Sequence, residues 1–288
     1  MIGNSVSTLN TDLPTALTES YLAVDNSPTG WIYVGGTTAL HRVPKAGGPN
    51  QNVTTLAGLT TTHLGYSMLV DGLDVYTVEA KGTGTTGHIW HISDNGGASW
   101  ALTDYATLPA APNDWLQSAA TYNGQFYTLT NEVTTTIQTQ LYKLPLGGSA
   151  PVPAAVELTF VNEGRCAGLA LDDDYLYTAC GTGERLVRVD RVTGAVTLLS
   201  TAFNFDLNAN AVFAHDVDAD GSADYLYFKG AEKEVGFVCD PSGATPYVGE
   251  LATYGSTSST STLGMAFDPT TSTLYAFDDA TEQIVIIQ

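Results

Sequence analysis

Four aspartates in one short segment are the residues of this chain best suited to chemistry. In Asp216-Val217-Asp218-Ala219-Asp220-Gly221-Ser222-Ala223-Asp224, carboxylates occupy positions 1, 3, 5 and 9, and a glycine occupies position 6. This spacing matches the first part of a calcium-binding loop, in which alternate oxygens converge on one ion and the glycine permits a left-handed turn. Because carboxylates this close repel one another without a cation, the segment predicts a structural calcium site. Its ligands would be Asp216, Asp218, Asp220, the carbonyl of Ser222, and Asp224.

One departure from the calcium pattern leaves a second interpretation open. Helix-loop-helix calcium sites carry a bidentate glutamate at position 12, where this chain has Tyr227. A solvated acidic turn that holds no ion is therefore the alternative.

The sequence contains no complete catalytic motif. It has no Gly-x-Ser-x-Gly turn, no His-Glu-x-x-His zinc motif and no phosphate-binding glycine loop. Its five histidines are scattered along the chain. We therefore predict no catalytic residues and no cofactor other than Ca²⁺.

A tyrosine that recurs inside a short apolar strand shows how the chain is organised. The intervals between successive copies are 43, 51, 50, 50 and 48 residues. Short strands repeated every 40 to 50 residues or so are typical of a β-propeller in which each repeat forms one four-stranded blade. We therefore predict an all-β, six-bladed β-propeller with four antiparallel strands per blade. The six copies are Tyr33, Tyr76, Tyr127, Tyr177, Tyr227 and Tyr275.

The whole chain, residues 1–288, is predicted to be one propeller domain. The last repeat ends after its third strand, and the N-terminal segment Ser5–Leu9 has the pattern of a spare strand. Because an unpaired edge would expose a row of backbone donors and acceptors, we predict that Ser5–Leu9 completes the sixth blade. We expect no helix longer than one turn. The expected blades are 20–60, 61–110, 111–160, 161–205, 206–255, and 256–288 together with 1–14.

The order of strands and turns resembles a known family. In the first repeat, the tyrosine strand and an alternating strand are followed by Val43-Pro44-Lys45-Ala46-Gly47-Gly48, which Leu144-Pro145-Leu146-Gly147-Gly148 partly repeats. This pattern resembles the six-bladed TolB-like propellers that are abundant among proteins secreted by myxobacteria. The resemblance implies the fold and an exported bacterial protein, whereas most proteins of this type have no established activity.

Two turns resemble motifs of other propellers. The acidic segment is similar to the calcium loops of integrin-type (FG-GAP) repeats, which implies an ion that braces one long hairpin. Ser93-Asp94-Asn95-Gly96-Gly97-Ala98-Ser99-Trp100 resembles a degenerate Asp-box of sialidase-type propellers, with Asn95 at the aspartate position. The Asp-box resemblance implies a structural hairpin between the third and outer strands of the second blade, with Trp100 packed between blades. A single box does not imply a sialidase.

Residues that precede each inner strand should surround the central axis, where propellers usually bind ligands. Counting back 12 to 14 residues from the tyrosines of five repeats gives a mixed polar rim, and in the fifth repeat, with its longer hairpin, Asn208 or Asn210 takes the equivalent place. We predict that this channel mouth is a recognition surface or a set of ion pairs. Its candidate ligand-binding residues are Glu19, His63, Asp114, Arg165, Asn208 and Thr262.

Part of this rim resembles the ion site of gluconolactonase-type lactonases, which hold one divalent ion with Glu, Asp and two Asn. Glu19, Asn113, Asp114 and Asn208 could form such a set, although the positive charge of Arg165 would oppose a cation there. The main prediction is therefore a non-catalytic secreted or cell-surface binding module with a structural calcium site. A metal-dependent lactone or ester hydrolase at the channel mouth is the alternative.

Charge and composition narrow the range of partners. The chain has 30 acidic and 10 basic residues and a net charge of −20, which argues against nucleic acid or an anionic membrane as a partner. No apolar run approaches the roughly 18 residues of a membrane helix. We expect a protein or carbohydrate ligand and a monomer. The composition, with no signal peptide in this sequence, suggests a secreted, periplasmic or cell-surface protein whose leader was removed.

Two cysteines lie symmetrically about a turn. Cys166 and Cys180 are equidistant from Asp173, the centre of Asp172-Asp173-Asp174. In an antiparallel pair, residues equidistant from the turn lie opposite each other. The two cysteines could therefore form a cross-strand disulfide or remain as two buried thiols. A disulfide would indicate an oxidising compartment.

Overall fold

The computed structural model describes residues 5–9, 11–14, 21–27, 29–36, 38–79, 86–95, 99–108, 114–133, 137–148, 150–161, 164, 166–180, 185–201, 212–229, 234–253, 264–278 and 281–288. Within these ranges the strands form six separate sheets, each of four antiparallel strands. The chain is a six-bladed β-propeller, which confirms the fold predicted from the tyrosine repeat. No helix in this described part is long and apolar enough to cross a membrane.

The first strand of the chain, β1 (Val6–Leu9), belongs to the last blade. Blade one contains β2 (Tyr21–Val24), β3 (Trp31–Gly35), β4 (Leu40–Pro44) and β5 (Gln51–Asn52), and is followed by helix α1 (Val53–Ala57) and a 3₁₀ turn (Thr61–His63). Blade two contains β6 (Gly65–Asp71), β7 (Asp74–Glu79), β8 (Gly87–Asp94) and β9 (Trp100–Leu108). Blade three contains β10 (Asp114–Tyr122), β11 (Gln125–Val133), β12 (Ile137–Pro145) and β13 (Ala155–Val161).

The second half of the ring repeats this order of strands. Blade four contains β14 (Cys166–Leu171), β15 (Tyr175–Cys180), β16 (Arg185–Asp190) and β17 (Val196–Ser200). Blade five contains β18 (Val212–His215), β19 (Tyr225–Lys229), β20 (Glu234–Cys239) and β21 (Tyr247–Thr253). Blade six contains β22 (Met265–Asp268), β23 (Thr273–Asp278) and β24 (Gln283–Ile287), together with β1.

Each repeated tyrosine lies on the second strand of its blade and is buried. All six are 6% exposed or less. Tyr76 of blade two packs against Phe126 of blade three, and Tyr227 of blade five packs against Phe267 of blade six, with ring centroids 5.9 and 5.3 Å apart. Burying an aromatic side chain of this size contributes about 1.5–3 kcal/mol. The repeat in the sequence therefore reflects one buried tyrosine per blade in a core shared with a neighbouring blade.

The two ends of the chain meet in blade six, which confirms the predicted closure. Strand β1 pairs antiparallel with β24 in a register that places Leu9 opposite Ile284. Ser5 and Gln288 exchange two backbone hydrogen bonds of 3.1 Å. The side chain of Leu9 packs into the same core as Ile284. Strand β1 therefore covers the edge that β24 would otherwise expose.

Helix α1 corrects the expectation that no helix exceeds one turn. Its five residues make slightly more than one turn of 3.6 residues. The side chain of Asn52 caps its start by accepting a hydrogen bond from the Thr55 N–H, and Gly58 ends it in a left-handed conformation. The outer strand of blade one is only two residues long, and capping residues start and end a short helix directly after it. The repeat of strands in the sequence gives no indication of this helix.

The two symmetrical cysteines face each other across the β14–β15 hairpin. Cys166 and Cys180 are register partners, and their sulfurs are joined in a disulfide. Asn131 of blade three holds the same strand, because its side chain donates to the carbonyl of Cys166 and accepts from its N–H. The bond lies in the core between blades three and four.

Proline substitutions in β1 test how the ring is closed. Because Ser5 and Gln288 form a hydrogen-bonded pair, the alternation of an antiparallel ladder makes Ser7 and Ile286 the next such pair. Ser7→Pro removes an N–H that points at β24, whereas Thr8→Pro removes one that points away from it. We expect Ser7→Pro to cost about 1–3 kcal/mol more than Thr8→Pro in urea unfolding. Equal losses in the two variants would contradict the register.

Candidate functional site

A cavity of about 270 Å³ lies on the axis of the ring. Its wall is formed mainly by the last residues of the six inner strands, so every blade contributes to it. The cavity extends to the end of the ring where each inner strand ends and its first turn begins. We call this end of the ring the turn face. The wall segments are Leu22–Val24, Met68–Val70, Ala119–Tyr122, Leu169–Asp172, Val212–Ala214 and Ala266–Phe267.

Backbone groups contribute to this wall as well as side chains. Each inner strand is the first strand of its sheet and pairs with a neighbour on one side only. Its other edge pairs with no strand among the described residues and faces the axis. The side chains of Leu22 and Leu169 pack into different cores between blades. The cavity therefore combines apolar flanks with hydrogen-bonding backbone edges.

The predicted calcium loop forms the turn of blade five, beside the cavity. Carboxylate oxygens of Asp216, Asp218 and Asp224 all lie within 4.8 Å of one another, and Asp216 also lines the cavity. The loop is shaped by its own hydrogen bonds, because Asp216 accepts the N–H groups of Ala219 (2.7 Å) and Gly221 (2.9 Å). The three carboxylates provide the hard oxygen ligands that Ca²⁺ prefers.

Asp220, another of the predicted ligands, lies outside this group of three carboxylates. The carboxylate of Asp220 accepts a hydrogen bond of 2.8 Å from the N–H of Ser222 and is not part of the three-carboxylate group. Position 6 requires glycine, since Gly221 has φ +95° and a Cβ there would collide with the carboxylate of Asp173. The loop is therefore packed directly against blade four.

Asp172, in the turn of blade four, anchors this loop. It is 2% exposed, and its carboxylate accepts hydrogen bonds from the Tyr177 hydroxyl (2.6 Å) and from the Ala223 N–H of the loop (3.2 Å). The Asp173 N–H donates to the carbonyl of Gly221 at 2.9 Å. Burial and the Asp172 carboxylate raise the pKa of Tyr177, so its hydroxyl stays protonated and donates. Blades four and five are therefore joined beside the cavity.

Blade three completes this contact through a tyrosine at the cavity wall. The hydroxyl of Tyr122 donates to the carboxylate of Asp173 at 2.7 Å. Burial, followed by the hydrogen bond and charge of Asp173, raises the pKa of Tyr122. The three turns of blades three, four and five therefore form one hydrogen-bonded unit at the turn face.

The cations near the turn face are paired with other groups. Arg191 donates to the carboxylate of Glu157 at 2.7 Å and to the carbonyl of Asp172 at 2.5 Å. Lys45 donates to Asp268 at 2.6 Å. No lysine, arginine or histidine is among the described residues that line the cavity, whereas Asp172 and Asp216 are. The cavity therefore has an acidic rim.

Most of the predicted channel mouth lies outside the residues that the structure describes. Glu19, Arg165, Asn208 and Thr262 lie outside the described residues, and so does Asn113. The backbone of Asp114 begins β10 and pairs with Glu132, but its side chain is also outside the described part.

His63 of the channel mouth lies in the 3₁₀ turn before blade two. Its Nδ1 accepts the N–H of Thr60 at 3.0 Å, which places the proton of the neutral ring on Nε2. The ring packs edge-on against Trp90, with centroids 4.5 Å apart. Burial lowers the pKa of His63. These contacts give His63 a packing role between the turn and blade two.

The Asp-box segment forms the β8–β9 hairpin of blade two, between the third and outer strands as its sequence predicts. Trp100 packs in the core between blades one and two. Arg42 of blade one lies over its ring at 4.7 Å and forms an ion pair of 2.8 Å with Asp94. The hairpin therefore joins two blades.

The lining of the axial cavity and the role of Asp172 were not predicted from the sequence. The pattern of Asp172-Asp173-Asp174 predicts only a turn. The available signal was position, because Asp172 and Asp216 each follow directly after the inner strand of a repeat. That signal places both residues at the same end of the axis.

No protein-family model and no curated protein matches this chain. The PQQ-bound aldose sugar dehydrogenase of Streptomyces coelicolor matches with a TM-score of 0.60 and 13% identity over 99% of this chain and 98% of that one. A Bacteroides thetaiotaomicron protein of unknown function matches with a TM-score of 0.61 and 12% identity over 98% and 75%. A subtype N10 neuraminidase-like protein from a little yellow-shouldered bat strain matches with a TM-score of 0.54 and 11% identity, over 100% of this chain and 98% of that one. At these identities the matches show the propeller fold alone.

Removal of the lysine in a buried ion pair should test the pairing at the turn face. Lys45 and Asp268 are 5% and 0% exposed, whereas Lys143 pairs with Glu157 at 3.4 Å and is 41% exposed. We expect Lys45→Met to cost about 3–5 kcal/mol at pH 7, because it leaves a buried carboxylate unpaired. The matched variant Lys143→Met should cost less than about 1 kcal/mol. If urea unfolding shows similar losses of stability for Lys45→Met and Lys143→Met, the prediction is wrong.

The same ion pair predicts how the loss of stability caused by Lys45→Met depends on pH. Burial raises the pKa of Asp268, but hydrogen bonds from Lys45 and Thr270 outweigh it, and the net shift is downward. The pair therefore stabilises the fold above the unfolded pKa of about 3.9 and loses this effect as the pH falls through the folded value. The difference in unfolding free energy between Lys45→Met and the parent, measured by urea unfolding, should become smaller as the pH is lowered.

Proposed function

We propose that this protein is an exported, non-catalytic binding module that holds a small ligand in its axial cavity. The cavity of about 270 Å³ is the observation that carries the proposal. Ligand sites are typically concave and mostly apolar, with a few polar groups that orient the ligand. Here Leu22, Leu171 and Phe267 supply apolar surface, while Asp216 and the axis-facing backbone edges of the inner strands supply polar groups.

The polar side chains of the cavity wall favour binding over catalysis. Asp172 and Asp216 each accept hydrogen bonds from several N–H or O–H groups, and Tyr122 donates to Asp173. None of them is arranged with a nucleophile in the way that covalent catalysis requires. The alternative, a lactone hydrolase with Glu19, Asp114 and Asn208, ranks second, because the positive charge of Arg165 would oppose a cation at that mouth.

Export is supported by the disulfide and by the resemblance to secreted TolB-like propellers. The Cys166–Cys180 bond suits an oxidising compartment such as the periplasm or the exterior of the cell. The expected partner from the sequence is a protein or a carbohydrate, and the cavity favours a small molecule.

A calcium ion in the blade-five loop would brace the cavity rim. The proposal is supported by three carboxylates within 4.8 Å of one another on a loop that is already shaped by hydrogen bonds. Asp216, Asp218 and Asp224 would hold the ion. Because the loop contacts the turn of blade four, the ion would stabilise the junction of the two blades.

Calcium should raise the thermal stability of the protein and EDTA should reverse the effect. At a concentration one hundred times its dissociation constant, a ligand of the folded state adds about 2.7 kcal/mol, which corresponds to several degrees in Tm. Asp218→Asn should abolish most of this gain. The control Asp71→Asn removes the same charge from an exposed turn of blade two and should retain it. An unchanged Tm with calcium, or equal gains in both variants, would overturn the calcium site.

Ligand binding in the cavity can be tested by reducing its volume. Native mass spectrometry against a library of soluble sugars, amino acids, amines and carboxylic acids should identify a binder. Ala120→Leu and Ala214→Leu narrow the cavity and should weaken that binding at least about tenfold. Ala101→Leu, on the outer strand of blade two, is the matched control and should bind as the parent does. The proposal fails if no compound binds, or if the control loses binding equally.

A further inference from the structure

We infer that the ligand of the axial cavity is a small organic ammonium ion of the methylated type, with its apolar part toward the cavity wall and its charge at the acidic rim. This inference rests on the proposed binding function and specifies its ligand class. It follows from the charge of the rim, the hydrogen-bonding state of Asp172, and the composition of the wall.

The rim carries negative charge, and none of the described cations lines the cavity; Arg188 of blade four donates to the carbonyls of Pro241 and Gly243. Asp172 and Asp216 are the charged side chains of the wall. Arg191, which contacts the carbonyl of Asp172, shares its charge with Glu157 at 2.7 Å. Lys45 is bonded to Asp268. With a net charge of −20 on the whole chain, the rim attracts a cation and repels a carboxylate or a phosphate.

The hydrogen-bonding capacity of Asp172 is already used. A carboxylate accepts about four hydrogen bonds. One oxygen of Asp172 accepts the N–H groups of Asp174 (3.0 Å) and Tyr175 (2.6 Å). The other oxygen accepts the Tyr177 hydroxyl (2.6 Å) and the Ala223 N–H (3.2 Å). All four donors are neutral, so the negative charge remains while no site is left for another strong donor.

A methylated ammonium ion matches this combination. It carries a full positive charge but needs no strong hydrogen-bond acceptor, unlike a primary amine or a sugar hydroxyl. Its charge is spread over methyl groups that also suit apolar surroundings. The buried charge of Asp172 therefore favours such an ion over a carbohydrate.

The wall supplies surfaces that attract this kind of ion. Phe213 of blade five and Phe267 of blade six both line the cavity, and so does Tyr122 of blade three. Aromatic rings attract organic cations through their quadrupoles, most strongly where water is excluded. Leu22 and Leu171 add aliphatic surface for an apolar substituent. The cavity therefore combines aromatic and aliphatic contacts with an acidic rim.

Choline and its neutral isostere 3,3-dimethylbutan-1-ol test the charge requirement. The two compounds have the same shape and differ by the replacement of N⁺ by carbon. Titration calorimetry on the full chain in EDTA, so that no divalent ion neutralises Asp216, should show choline binding at least about tenfold more tightly. Methionine methyl NMR gives the location, because Met68 lines the cavity and Met265 does not. The Met68 signal should shift more than the Met265 signal.

Two asparagine variants of the same loop distinguish the effect of a carboxylate at the rim from the effect of lowering the net charge of the protein. Asp216 lines the cavity and Asp220 does not. Asp216→Asn should weaken choline binding at least about fivefold, and Asp220→Asn should change it less than about twofold at physiological salt. Thermal unfolding of both variants with and without calcium checks that the loop still folds. Equal effects of the two variants would overturn the role assigned to the rim.

The remaining outcomes distinguish this inference from the proposed function. If the alcohol binds as tightly as choline, or if a neutral or anionic library compound binds in the cavity while choline does not, the ammonium class is wrong and the binding module stands. If neither choline nor any library compound binds in the cavity, both proposals fail.

Discussion

The packing of one tyrosine per blade between its own sheet and the next is the interaction on which the rest of the structure depends. A four-stranded blade has apolar side chains on both faces, and neither face can be buried within the blade itself. A closed ring gives every blade two neighbours, so Tyr33, Tyr127 and their counterparts are all buried. The pairing of β1 with β24 belongs to the same constraint, because it joins the last blade to the start of the chain.

The cavity is a consequence of this arrangement. Each of the six inner strands pairs with a strand on one side only and turns its other edge toward the axis. The turns that follow them determine the chemistry of the turn face. In blades four and five these turns are aspartate-rich and are tied together by hydrogen bonds through Asp172. The nearby cations Lys45 and Arg191 are neutralised by Asp268 and Glu157. An ion held by the blade-five loop and a ligand in the cavity would therefore share Asp216.

Features that depend on local order in the chain were predictable from the sequence. Cys166 lies opposite Cys180 because a tight turn fixes the register of its hairpin. The position of Trp100 follows from its place in the hairpin of blade two. The hydrogen bond from Ala223 to Asp172 joins residues 51 positions apart on different blades, and no local pattern indicates it. The separation of Asp220 from the three-carboxylate group was equally hidden, because the spacing of the four aspartates does not distinguish among them.

The amino-acid sequence alone determined the number of blades, the strand that closes the ring, the cysteine register and the acidic loop. Each of these follows from a period or a turn within a single repeat, where chain connectivity limits the geometry. Only the tertiary structure decided which carboxylates converge, which are neutralised and which face the axial cavity. These properties depend on distances between blades, and such distances are set by the packing of side chains that lie far apart in the chain.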